Sequence, residues 1–276
     1  KMQRRSRFDY SQDFIDVGYK ELTIPANSDG THKLNKNSFH IWPRGKFMFI
    51  AMPNLDGSFT CTLFMPFEGE ISFDSIKTKN DAVHFFSTYF PNVKNEIENL
   101  TEDFFKNPTS AMVTMKCYPW TYWDKVALVG DSAHAVVPFY GQGMNAGFED
   151  IFVLDEIIKE FGDDWEKIFN TYQQRRKPNA DAIAELSYRN FVEMSSKTAD
   201  ANFLLQKKIE KHFSAKHPDK WIPAYSRVTF SERPYAEALA AGDMQEDIMK
   251  EVMKLPNIEK EWKSATVEKL MLDLID

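Results

Sequence analysis

The residues best placed to do chemistry lie between Val126 and Asp150, in the run Val-Ala-Leu-Val-Gly-Asp-Ser-Ala-His-Ala-Val-Val-Pro-Phe-Tyr-Gly-Gln-Gly-Met-Asn-Ala-Gly-Phe-Glu-Asp. The four apolar residues Val126 to Val129 spell a short buried strand. Gly130 at its end lets another backbone or a ligand come close. Asp131 then falls just past a strand end, where ligands of sheet-containing folds sit. A carboxylate there accepts hydrogen bonds and suits a ribose or ribityl hydroxyl. Next come Gly141, Gln142, Gly143, Met144 and Asn145, immediately before a helical pattern. Two glycines free the backbone to present N–H groups at a helix N-terminus, whose partial positive charge makes it an anion site. Neither part is specific alone. A Gly-Asp pair after a strand is common in α/β proteins, and Gly141-x-Gly143-x-x-x-Gly147 is not the dinucleotide fingerprint. The order of the parts within one short stretch is what carries information.

The rest of the chain offers little competing chemistry. Six histidines are scattered without metal-ligand spacing, so no metal is expected. His134 reads as a structural hydrogen-bonder, and Arg175-Arg176 as a solvated helix face or a salt-bridge site. Cys61 and Cys117 are too few for a disulfide framework and are expected to be buried and inert, in a reducing compartment. A balance of 34 basic against 41 acidic residues, net −7, argues against a nucleic-acid binder. No apolar run approaches the ~20 residues of a membrane span. The 23 phenylalanines in 276 residues call for an aromatic core or an apolar pocket.

The elements that must position these residues follow from periodicity. Phe14 to Ile24 and Phe39 to Trp42 read as strands, the second stopping at Pro43. Phe47 to Met52 and Phe59 to Met65 flank an Asp56-Gly57 turn and form an antiparallel hairpin. Met48, Ile50 and Met52 share one face of the first strand, and Thr60, Thr62 and Phe64 one face of the second. Residues 76 to 107 read as helix broken at Pro91, and Met112 to Tyr118 as a further strand. Trp120, Tyr122 and Trp123 form an aromatic connector. A helix runs from Gly141 to about Phe161. The next, which Asp164 could cap, carries Tyr172, Arg175 and Arg176. Asn179 to His212 reads as one long helix, Pro218 to Pro234 as irregular, and Tyr235 to Lys254 and Glu259 to Ile275 as amphipathic helices.

Taken together, Gly130-Asp131-Ser132-Ala133-His134, Pro138 and Gly141-Gln142-Gly143-Met144-Asn145-Ala146-Gly147 resemble the second flavin-binding motif of the FAD-dependent, single-component aromatic hydroxylases. Gly18 to Pro25, His40-Ile41-Trp42-Pro43-Arg44, Met52 to Phe59 and Gly147-Phe148-Glu149-Asp150 resemble the kynurenine-hydroxylating branch of that family. The resemblance covers nearly the whole chain and thins in residues 66 to 110 and after 240.

The resemblance implies an α/β (α+β) fold. It would combine an antiparallel substrate-domain sheet, the strand–helix of an FAD-binding fold and a C-terminal helical region. The expected segments are 1–120, mainly the substrate sheet with covering helices; 121–178, the C-terminal part of an FAD-binding domain; and 179–276, helical. The implied activity is hydroxylation of L-kynurenine to 3-hydroxykynurenine with FAD, NADPH and dioxygen, through a flavin hydroperoxide. The cofactor carries the hard chemistry in such enzymes, so no catalytic side chain is assigned. Gly130, Asp131, Pro138, Gly141, Gln142, Gly143, Met144 and Asn145 are the expected cofactor contacts, and Tyr140 is given no role. Asn190 and Tyr225 match the positions that meet the substrate's amino-acid end. Met48, Ile50, Met52, Thr62 and Phe64 are candidates for an apolar wall around its ring.

No Gly-x-Gly-x-x-Gly turn occurs, nor the family's mid-chain Asp-Gly motif, nor its carboxylate-gripping Arg and Tyr. The chain is therefore expected to be the C-terminal portion of a longer protein, with the N-terminal portion as its partner. The charge-interrupted C-terminus resembles a bacterial, cytoplasmic member without a membrane anchor. Two other readings stay open: a hydroxylase of another aromatic acid, and a non-catalytic binding module with an incomplete flavin site.

Overall fold

A computed structural model describes residues 8–197 and 200–275, so most of the basic opening run lies outside the described residues. Two compact units are built from non-consecutive stretches. One holds Phe14–Met112 and the short segment beginning at Val192. The other holds the stretch ending at Asp13, Val113–Phe191 and the chain from Asp200 onward.

The first unit is organised by a five-stranded sheet. Its strands are β1 (Asp9–Ile24), β2 (His40–Pro43), β3 (Met48–Pro53), β4 (Phe59–Pro66) and β5 (Ser110–Tyr118), in the order β2-β3-β4-β1-β5, with the first residues of β1 up to Asp13 and the part of β5 from Val113 on counted in the second unit. The hairpin β3–β4 is antiparallel, with Met48 opposite Phe64, Ile50 opposite Thr62 and Met52 opposite Thr60. Alternation therefore sends Phe49, Ala51, Cys61 and Leu63 to the other face. There they join Leu22, Ile24 and Phe47 in a core with Ala82, Phe85, Phe86 and Phe90. The rings interlock edge to face. Phe49 lies 5.6 Å from Phe86, and Phe85 lies 5.4 Å from Phe86. Such pairs add about 0.5–1.5 kcal/mol each beyond the area they bury.

The hairpin turn depends on one glycine. Gly57 has φ +89°, and a Cβ on it would lie 2.4 Å from the carbonyl oxygen of Gly30. Thus neither the dihedral nor the space admits a side chain.

The single broken helix expected over residues 76 to 107 is three helices: α1 (Lys79–Tyr89), α2 (Pro91–Lys94) and α3 (Leu100–Lys106). Thr78 and Asp81 form a reciprocal capping box at the start of α1. Phe90, ahead of Pro91, leaves the helical region at φ −133°, ψ 47°.

The second unit is mostly helical. Val126 to Val129 is not the buried four-residue strand of the sequence reading. Only β7 (Val126–Ala127) is a strand, paired with β6 (Thr121–Tyr122), and Val126 is exposed. Next come α4 (Asp131–His134), a 3-10 turn (Pro138–Tyr140), α5 (Gly143–Phe161) and α6 (Trp165–Val192). The expected boundary at Asn179 is absent, because α6 runs straight through Pro178. An interior proline costs roughly 3 kcal/mol. Burial on both sides offsets that cost, with Ile168 and Tyr172 before it and Ala180, Ile183 and Leu186 after it. The helix ends instead in a π turn (Glu193–Lys197), and α7 (Ala201–Lys216) restarts beyond it, capped by Asp200. The irregular stretch contains α8 (Ala224–Thr229). It is followed by α9 (Tyr235–Val252), α10 (Ile258–Glu261) and α11 (Ala265–Ile275), the last two read as one helix from sequence. Among the described residues no helix is long and apolar enough to cross a membrane.

Candidate functional site

The site grows from the turn after β7. Gly130 adopts φ +60°, ψ −141° and starts α4. Asp131, the first residue of α4, is exposed. Beneath it the polar groups are locked. The Gly130 N–H donates to Asp150 Oδ2 at 3.0 Å, and His134 Nε2 lies 2.6 Å from the same oxygen. Arg176 Nε donates to Asp150 Oδ1 at 2.7 Å, and its Nη1 meets Glu149 at 2.6 Å. Asp150 is fully buried and Arg176 is 1% exposed, so of the two readings of Arg176 the salt-bridge site is the one found and the solvated face is not. Burial alone would raise the Asp150 pKa, but hydrogen bonds from His134, Arg176 and Gly130 hold it below the usual aspartate value. Burial likewise works against the Arg176 charge, and its two carboxylate partners overcome it and raise its pKa.

Downstream, the 3-10 turn closes on Gly141, which is left-handed at φ +65° with open space where a Cβ would stand. Gln142 precedes α5 and is buried. Its Oε1 accepts from Asn145 Nδ2 and from the Tyr235 hydroxyl, both at 3.0 Å. Burial pushes the Tyr235 phenol up to about 12. The 19-residue helix α5 has no side-chain cap and no acidic residue in its first turn. Its first-turn amides and the positive end of its dipole are therefore set to face an anion. Glycine at both turns, an exposed carboxylate and an uncapped helix start together fit a nucleotide-like cofactor. Met144 and Asn145 are exposed beside them, as is Pro138.

Asn190 and Tyr225, distant in sequence, both reach the same 3-10 turn. Asn190 Nδ2 donates to the Phe139 carbonyl at 2.7 Å. Tyr225 stacks on Tyr140, with centroids 5.5 Å apart and planes at 26°. Phe139 in turn packs on Phe191 at 4.7 Å. Met48, Ile50, Met52, Thr62 and Phe64 share one face of the sheet unit through the β3–β4 register. All but Met52 are buried.

Sequence reasoning missed the role of Asp150, the burial of Arg176, the Gln142–Tyr235 bond and the Tyr140 stack. One signal was available: Ile168, Tyr172, Arg176 and Ala180 recur every four residues, which puts Arg176 on the buried face of its helix.

Fold and site define the class first. Residues 94–187 match the family described as FAD binding domain. The chain is 21% identical to a tetrameric 2-methyl-3-hydroxypyridine-5-carboxylic acid oxygenase of known structure, with a TM-score of 0.54 over 72% of this chain and 53% of that one, a likeness of fold. Two proteins named kynurenine 3-monooxygenase, from Christiangramia forsetii and Flavobacterium johnsoniae, are each 70% identical over 275 residues, covering 100% of this chain. The chain is thus similar over its whole length to proteins named kynurenine 3-monooxygenase, and it spans 62% of the length of those two relatives.

Proposed function

We propose that the protein containing this chain hydroxylates L-kynurenine to 3-hydroxykynurenine, with FAD as cofactor and NADPH as reductant. When bound, FAD supplies the reaction with dioxygen that amino-acid side chains cannot. The Asp131 carboxylate accepts from ribose or ribityl hydroxyls. Backbone N–H groups from Gly141 to Asn145, with the α5 dipole, stabilise negative charge on the cofactor. Gly130 and Pro138 shape the backbone on either side. Asn190 and Tyr225 orient the amino-acid end of the substrate. The sheet face of Met48, Ile50, Met52, Thr62 and Phe64 provides apolar surface that keeps water from an aromatic ring.

The observation that carries this reading is the convergence of Asn190 and Tyr225 on the Phe139–Tyr140 turn, directly before the glycines that open α5. The high identity to the two relatives supports it. The N-terminal portion of the protein completes the cofactor site. In support, Met144, Phe148, Ile151 and Phe152 form an exposed apolar stripe on α5, a surface that favours being covered.

The test is product formation. The full-length protein, supplied with FAD, NADPH, oxygen and kynurenine, should yield kynurenine carrying one added oxygen atom by mass spectrometry. FAD binding without that product would move the assignment to another aromatic substrate. Activity of this chain alone would contradict the need for an N-terminal portion.

A further inference from the structure

Asp150 has no exposed surface, yet it receives hydrogen bonds from both ends of α4: the Gly130 amide at 3.0 Å and the His134 ring at 2.6 Å. Asp131 lies between those two tethered points. The second carboxylate oxygen of Asp150 is taken by Arg176 Nε. That guanidinium also donates to the Ala146 carbonyl at 3.3 Å, one residue beyond the Gly141–Asn145 stretch. One buried carboxylate–guanidinium pair therefore joins the turn that presents Asp131 to the helix start that presents the first-turn amides. The backbones it joins are close. A Cβ on Gly130 would lie 3.8 Å from the Cα of Gly147 on α5. The titratable groups around the Asp150–Arg176 pair come from every packed element: His134 on α4, Glu149, which meets Arg176, on α5, Tyr172 on α6, and Tyr235 on α9. Buried as the pair is, it can set the spacing of the groups above it without meeting a ligand itself.

We infer that Asp150 is a positioning residue for the cofactor turn: held by Arg176, it fixes Asp131 at a set distance from the N-terminus of α5, an assignment that rests on the flavin reading above. A buried pair could be merely structural, so the experiment has to measure coupling. FAD dissociation constants are read by flavin fluorescence on the full-length protein, for the unsubstituted form, Asp131→Ala, Asp150→Asn and the double variant. Each single substitution should weaken FAD about tenfold or more. If Asp150 acts through Asp131, adding Asp150→Asn to Asp131→Ala should cost less than about threefold further. Effects that multiply would overturn the assignment. His134→Gln removes only one of the Asp150 contacts and serves if Asp150→Asn does not fold. It should weaken FAD about threefold, and that loss should vanish in the Asp131→Ala background. No FAD binding by the unsubstituted protein would sink the flavin reading itself. FAD binding that Asp150→Asn or His134→Gln leaves unchanged would sink only the positioning role.

Discussion

The sheet unit and the helical unit solve the same problem by opposite means. The sheet unit is held by shape: Phe49, Phe85, Phe86 and Phe90 interlock beneath β3 and β4, and the charge that meets them, the Arg44 guanidinium over Phe90, is not buried with them. The helical unit sets its most important turn by charge: Asp150, Arg176 and His134 sit together with almost no solvent. Apolar packing degrades gradually, in proportion to the volume removed. A buried ionic network fails abruptly, because removing one member strands the charge of another. The region expected to face the flavin is thus the one with the least tolerance for substitution.

The largest break should come from Arg176→Met, which leaves the Asp150 charge buried without its guanidinium partner. A loss of about 3–5 kcal/mol is expected, read as a fall in the denaturation midpoint. Phe49→Ala should match it in size, about 3–5 kcal/mol, but by opening a cavity. Refilling with Leu should recover most of the Phe49 loss, whereas Arg176→Lys should recover little, since lysine has no fork to span Asp150, Glu149 and the Ala146 carbonyl. Equal rescue at both sites would erase the contrast.

Acid sharpens it. The folded pKa of Asp150 lies below the unfolded value of about 3.9. Its contribution is therefore complete above that value and is lost as pH falls through the lower, folded one. Asp150 is the one buried carboxylate among the described residues, so the helical unit should lose tertiary signal first on acidification below about pH 4. Near-ultraviolet dichroism of the tryptophans, including buried Trp120 beside His134, would report it. Simultaneous loss of both units would count against the distinction.

Two smaller effects belong to the sheet unit. Gly57→Ala forces a side chain into φ +89° and against the Gly30 carbonyl. It should cost about 1–2 kcal/mol from the dihedral, with the clash added. Thr78→Ala removes a capping box and should cost about 1 kcal/mol, measured by chemical denaturation.

The same contrast explains what the sequence made legible. Strand alternation put Met48, Ile50 and Met52 on one face, and the Asp56-Gly57 turn set the hairpin, because both signals are local. The motif from Gly130 to Asn145 was readable because its glycines sit where backbone geometry needs them. The burial of Arg176 was legible only in its four-residue spacing from Tyr172 and Ala180, since a charge buried by tertiary pairing otherwise looks like any solvated charge along the chain. Pro178 misled for a related reason: its local penalty is real, and only packing at Ile168 and Ile183, on either side of it, outweighs it. The strand at Val126 shrank because an apolar run states a preference for burial and not the partners that would satisfy it. Spacing alone did not bring Asn190 and Tyr225 together; the resemblance did, and the fold carries both to one turn across a π turn and two helix starts.

The two cysteines divide between the units. Cys61 lies in the sheet core, its thiol pushed up to about 12 by burial, and Cys117 lies in the helical unit, raised by burial and donating to the Ala133 carbonyl. Neither is a competent nucleophile while its surroundings stay closed. The molecule thus carries one native chemical clock in each unit. Their alkylation rates, timed separately by peptide mass, would report how often each half opens, without a single engineered label.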